Sequence, residues 1–249
     1  MQQQNFKEIL AKMSNVKGWE VLNCDNLLAL KSPTLIPLVN FVWGEITRDK
    51  LDQVKRFYGN NEFYWILSEE QNQAISSDPL KELLLSPEPF PEMLIEINSS
   101  NMQINPVGIS SIQVKTSQDL QIWTDTAIAT FGFSETGFKE FFYPLIENAG
   151  CIPLLIYYND IPAATAMVHC GESVAGIYAM STKVEYRRKG LGRAAINTCI
   201  ELAKQSKLDY AVLYSSEDGV KLYNAMGFKV SKKLYEYSFN ADFNIFKNS

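Results

Sequence analysis

Histidine is nearly missing from this chain. One residue, His169, stands among 249, and it has no Cys or acid at ligand spacing, so a structural metal site is not expected. It reads as an ordinary strand residue. The cysteines are few, 4 in number, and Cys24, Cys151, Cys170 and Cys199 never form a C-x-x-C pair. Three of them lie in apolar runs where a reduced thiol packs as a small hydrophobe, which fits a cytoplasmic protein better than a disulfide scaffold. No apolar run approaches a membrane span. The opening "QQQNFKEILAKMSN" has no apolar core of a secretory signal. Basic excess is also lacking: net charge is -5, whereas a protein that displaces counterions from a nucleic-acid backbone carries a large basic face. No nucleic-acid and no membrane partner is therefore expected.

What is there is a core. Hydrophobic residues make up 46% and aromatics 12% of the chain, enough for one large or two small domains. The polar, turn-rich stretch "NSSNMQINPVG", residues 98–108, is the most linker-like, and it divides the chain into 1–105 and 106–249. The first part reads strand, strand, helix, strand, helix, strand, with its second helix in "DPLKELLLS" capped by Asp78. In the second part Ser117 and Ser134 are expected to cap consecutive helices, Gly150 to end the second, and Asn159-Asp160 to turn a hairpin. Its order is βααβββαβαβ. Both parts are α/β in pattern. Their element order repeats, although the strand-to-helix junction of the first part, "FVWGEITRDK", has neither glycine pair nor cation cluster. Duplication and convergent patterning explain this equally well.

The densest chemical signal is "EYRRKGLGRAA", residues 185–195. A helix start presents unpaired N–H groups and partial positive charge, and Arg187, Arg188 and Lys189 add full charges just upstream of Gly190 and Gly192. A solvated charge run ending in a turn is the plain alternative. A Walker loop is excluded because no G-x-x-x-x-G-K-[ST] string exists. "GLGRAA" does fit G-x-G-x-x-A, the dinucleotide pattern, but charged residues separate it from the preceding strand, and the strand after the helix, "AVLYSS", ends in serines where a ribose-binding acid belongs.

Arg187-x-x-Gly190-x-Gly192 resembles the R/Q-x-x-G-x-G/A signature of the GCN5-related N-acetyltransferases (GNAT), and "KLYNAMGFKV" resembles that family's C-terminal segment. The resemblance covers the second part and implies a mixed, mostly antiparallel sheet flanked by helices, with a tandem arrangement in which the first part is a degenerate companion that completes or shields the acceptor cleft. It implies acetyl-CoA as co-substrate, no metal, and an amine of a small molecule or peptide as acceptor. By it, Arg187, Arg188, Lys189, Gly190, Leu191, Gly192 and Arg193 hold the pyrophosphate, and main-chain groups of Met180 and Thr182 meet the pantetheine arm. Ser216 stands with Ser215 where many relatives carry an asparagine, and Val184 where many carry a proline. Tyr223 matches the tyrosine that protonates the leaving thiolate. A free phenol near ~10 and a thiol near ~8.5 make full proton transfer uphill by roughly 2 kcal/mol, so partial donation is expected. No acid declares itself as general base. A non-catalytic acyl-CoA sensor and, more weakly, a dinucleotide-dependent oxidoreductase remain as alternative functions.

Overall fold

A computed structural model of the protein describes residues 1–24, 26–33, 40–75, 87–100, 102, 104–132 and 134–239. The chain forms two compact units, Met1–Val16 with Pro91–Ser231, and Lys17–Phe90 with Lys232–Ser249. They do not part at 105/106. The linker-like stretch instead lies inside the first unit, because the strand before it and the first helix of the chain both find partners beyond it. The Asp78-capped helix expected in "DPLKELLLS" lies outside the described residues.

The first unit takes α1 (Gln2–Met13), β5 (Glu88–Glu96, from Pro91 onward) and everything from β6 (Ile109–Gln113) to the first residues of β11 (Lys229–Phe239). Between these come α4 (Ser117–Phe131), α5 (Glu135–Ala149), β7 (Ile152–Tyr158), β8 (Ile161–Cys170), β9 (Ala175–Thr182), α6 (Leu191–Gln205), β10 (Tyr210–Tyr214) and α7 (Glu217–Ala225). Strands β6, β7, β8 and β9 are antiparallel neighbours, β9 runs parallel to β10, and β5 pairs antiparallel with β10 from Tyr210↔Glu96 to Tyr214↔Glu92. A strand from the first part of the sequence thus borders β10. Local chemistry accounts for the boundaries. Asn159 and Asp160, at φ 48° and 63°, make the tight turn between β7 and β8. Ser134 Oγ accepts from the Gly137 N–H (3.2 Å), and Gly150 ends α5 at φ 75°. The cap of α4 is Thr116 rather than Ser117: its Oγ1 accepts from the Asp119 N–H at 3.0 Å while Asp119 returns a bond to the Thr116 N–H. Ala194, Ala195, Cys199, Ile200 and Ala203 of α6 pack on Ala164, Ala166 and Val168 of β8 in one apolar core. Trp123, Phe138 and Phe142 form a second buried cluster between α4 and α5, with ring centroids 4.3–5.6 Å apart.

The second unit holds β1 (Glu20–Cys24), β2 (Leu27–Lys31), β3 (Phe41–Trp43), α2 (Arg48–Tyr58), β4 (Phe63–Ser68) and α3 (Glu69–Ile75), with the later part of β11 beside β4. Strands β3 and β4 are parallel and joined by α2, the same crossover that α6 makes between β9 and β10. Its core includes Leu27, Val42, Leu51, Val54, Phe63, Trp65 and Phe239.

The amphipathic opening of the sequence is α1, and its buried face carries polar residues. Asn5, fully buried, donates through Nδ2 to the carbonyls of His169 (3.2 Å) and Val174 (2.8 Å) and accepts at Oδ1 from the Tyr178 hydroxyl (2.7 Å). His169 Nδ1 lies 3.2 Å from the same oxygen. These contacts tie α1 to β8, β9 and the loop between them and leave no buried amide unpaired at Asn5.

Candidate functional site

Strand β9 leaves the core beside β10 and leads to α6, and its geometry changes along its length. It pairs with β10 only at Ala211↔Ala175 and Val212↔Gly176; from Ile177 onward the two strands separate. On its other edge the register against β8 shifts between Thr165↔Ser181 and Met167↔Tyr178, so that β9 carries one extra residue in a β-bulge. Ala179 sits in that bulge at φ 48°, a left-handed conformation that costs an alanine about 1–2 kcal/mol. The bulge resets the alternation of side chains. Tyr178 and Ser181 both face the side of α1 and α4, whereas Met180 packs with Ile177 on the side of α6. Met180 and Thr182, expected to lie along a ligand arm, are both on the separated stretch.

After β9 a single turn of 3-10 helix, Val184–Tyr186, leads into the cationic run. Arg187, Arg188 and Lys189 are exposed. Arg187 Nε donates to the Thr182 carbonyl at 3.3 Å, which folds its guanidinium back toward the end of β9. Arg188 adopts φ 62°. Lys189 Nζ lies over the rings of Tyr158 (4.7 Å) and Tyr186 (5.0 Å), a cation–π arrangement that fixes the charge beside the loop. Arg193 stands one turn into α6, partly exposed.

Helix α6 begins at Leu191 with Gly190 as N-cap at φ 94° and no side-chain cap. Its first intrahelical bond runs from the Ala194 N–H to the Gly190 carbonyl at 3.0 Å, so the N–H groups of Leu191 and Gly192 have no acceptor within the helix. The contrast with α2 is direct: there Thr47 Oγ1 closes the helix start by accepting from the Lys50 N–H at 3.3 Å. The glycines of the motif also serve packing. A Cβ on Gly190 would stand 3.0 Å from Pro106 Cγ, and one on Gly192 would stand 2.8 Å from Leu222 Cδ2. Their bare faces thus admit Pro106 and α7.

Tyr223, on α7, is 7% exposed and shares the core of α6 with Cys199 and Phe228. Burial, and secondarily Cys199, push its phenol up to about 12. Against a thiol near ~8.5, full proton transfer is uphill by roughly 5 kcal/mol, more than for a free phenol. The hydroxyl therefore keeps its proton at neutral pH and is suited to hydrogen-bond donation. Ser216 is exposed, and its Oγ accepts from the Gly219 N–H at 3.3 Å as N-cap of α7; Ser215 is buried and donates to the Ser216 carbonyl at 2.7 Å. Capping, then, occupies the Ser216 oxygen. Tyr178 is held protonated by burial and donates to Asn5, which makes it part of the fold. Among the described residues no cluster of His, Cys, Asp and Glu is fit to hold a metal ion, and no helix is long and apolar enough to cross a membrane.

With this geometry in place, residues 120–228 match the acetyltransferase (GNAT) family. The chain carries a GNAT domain. Solved structures resemble the chain over most of its length. A GCN5-related N-acetyltransferase from Kribbella flavida aligns with a TM-score of 0.72 at 16% identity, over 95% of this chain and 94% of that one. One from Sphaerobacter thermophilus gives 0.67 at 11% identity, over 96% and 88%. A tandem GNAT protein from the clavulanic acid biosynthesis pathway gives 0.58 at 11%, over 88% and 79%. At these identities the likeness is one of fold. No curated protein matches the sequence. The GNAT domain thus contains the separated β9, the loop, α6 and Tyr223. Thr165, Ser181 and Trp123, which surround the bulge of β9, carry no motif in the sequence and became visible only through strand register.

Proposed function

We propose that the chain is an N-acetyltransferase that moves an acetyl group from acetyl-CoA to an amine of a small molecule or peptide by direct attack of the neutral amine on the thioester. The observation that carries this reading is the parting of β9 from β10 immediately before an uncapped helix start flanked by Arg187 and Arg188. Main-chain groups on the free edge of β9 would run alongside an extended pantetheine arm, and the amides of Leu191 and Gly192, with the neighbouring cations, would hold the pyrophosphate. Tyr223 supplies a hydrogen bond to the departing sulfur, and acetyl-CoA supplies the activated acyl group. Dinucleotide oxidoreduction is disfavoured, because β10 leads into Ser215 and the capping Ser216, and the first carboxylates, Glu217 and Asp218, come only beyond them in the first turn of α7. The second unit, whose α2 is capped by Thr47, reads as a companion that binds no coenzyme.

A panel of amines, amino acids and peptides, assayed for thiol release from acetyl-CoA, tests the proposal. Release with at least one acceptor, lost in Tyr223→Phe while coenzyme affinity stays, supports it. Tight coenzyme binding with no turnover across the panel moves the assignment to an acyl-CoA sensor, and preference for a nicotinamide dinucleotide over coenzyme A overturns it.

A further inference from the structure

The bulge of β9 is held by side chains that the acyl-transfer reading does not use. Thr165 and Trp123 are fully buried and Ser181 is 7% exposed. Thr165 Oγ1 donates to the Ala179 carbonyl at 2.9 Å and lies 2.7 Å from Ser181 Oγ. A threonine has one hydroxyl proton, and it is spent on Ala179; the second contact is therefore a donation from Ser181 to Thr165. Opposite the bulge, the Ala166 carbonyl accepts from Trp123 Nε1 at 3.2 Å. An extra strand residue leaves main-chain groups out of the ladder, and here two of the carbonyls concerned are met by dedicated side chains from β8 and α4. Such provision holds an alanine at φ 48° in one conformation instead of several. The bulge falls on the stretch of β9 that has left β10, so its orientation decides where the free main-chain groups of residues 179–181 point.

We propose that Thr165, Ser181 and Trp123 are positioning residues that lock the Ala179–Met180 bulge and so aim the β9 main chain at the thioester, governing the rate of acyl transfer more than coenzyme affinity. This rests on the function proposed above. The proposed pyrophosphate contacts lie on the other side of the 3-10 turn, on residues 187–193, so the bulge affects only the pantetheine part of coenzyme binding and the larger share of affinity is separable from its aim.

The test compares Thr165→Val, which keeps the shape and removes the hydroxyl, with Thr165→Ser, which keeps the hydroxyl. Wild type and both variants are assayed for turnover of acetyl-CoA with the best amine of the panel, for affinity toward coenzyme A by calorimetry, and for ligand-free amide exchange across residues 178–182. Thr165→Val is expected to lower kcat by about 30-fold through misaimed donors and to hold Kd for coenzyme A within about threefold. Exchange of the bulge amides should rise by about tenfold or more. Thr165→Ser should return all three to within about threefold of wild type. Wild-type kcat in Thr165→Val overturns the proposal. So does a fall of kcat and affinity together that Thr165→Ser fails to restore, since that marks a merely structural role. If wild type neither binds coenzyme A nor turns over any amine, the function reading fails on its own evidence. Exchange unchanged by Thr165→Val removes the lock independently of activity.

Discussion

Gly190 and Gly192 belong to one motif but should respond unequally to alanine. At Gly190 the backbone stands at φ 94°, and an added Cβ would lie 3.0 Å from Pro106 Cγ and 3.4 Å from its Cδ. Left-handed strain costs an alanine about 1–2 kcal/mol, and proline, being a ring on a fixed backbone, has little room to retreat. Gly190→Ala should therefore destabilise the protein by about 2 kcal/mol, or relieve the strain by shifting the loop and misdirecting the amides of Leu191 and Gly192. In the second case affinity for coenzyme A should fall by at least about tenfold, since ~1.4 kcal/mol of lost contact suffices; in the first, stability falls and the affinity of the folded protein stays. At Gly192 the obstacle is Leu222 Cδ2 at 2.8 Å, the end of a flexible side chain, and alanine gains about 1 kcal/mol of helix propensity over glycine. Gly192→Ala should change stability by less than about 1 kcal/mol and coenzyme affinity by less than about threefold. Urea denaturation and calorimetric titration of coenzyme A on both variants measure these quantities. Should Gly192→Ala abolish coenzyme binding with stability intact, its bare face meets the ligand and the packing explanation is refuted.

Tyr223→Phe keeps the buried ring and removes the hydroxyl; kcat should fall by about 10–100-fold with Kd for coenzyme A unchanged, and equal losses of both would place Tyr223 in binding instead. Ser216→Ala should cost about 1 kcal/mol in denaturant unfolding through the lost cap of α7, while coenzyme affinity stays within about twofold; a large affinity loss would show that the serine reaches the ligand. Burial, followed by the Lys12 charge, lowers the His169 pKa below its ordinary value. The unfolded chain therefore binds a proton at His169 before the folded chain does, and stability falls as pH drops below about 6.5. In His169→Gln that part of the slope should vanish when unfolding free energies are compared between about pH 7 and 5.5; an undiminished slope would assign it to carboxylates.

Much of the GNAT domain is legible in local chemistry. Caps at Ser134 and Gly150 and the Asn159-Asp160 turn are short-range features, and each stands where the sequence places it. The expected break at 105/106 does not coincide with the compact units because β5 looks like a final strand of the first part, and nothing local tells that it pairs with β10, more than a hundred residues later. Buried Asn5 was illegible for the same reason: an asparagine on a polar-looking helix is inside only because His169, Val174 and Tyr178 satisfy it. At the site, "YRRKGLGR" announces the loop but not the packing of its glycines, whose bare faces meet Pro106 and Leu222. Ala179 gives no hint of a bulge, since its left-handed turn is imposed by partners on β8 and α4 and is disfavoured by the residue itself.

Amide hydrogen exchange with and without coenzyme A measures most directly whether the α6 start holds the pyrophosphate. Protection should appear in peptides covering residues 187–194 and be absent across residues 47–51 at the capped start of α2. Coenzyme binding that leaves 187–194 unprotected, or that protects α2 instead, would contradict the site.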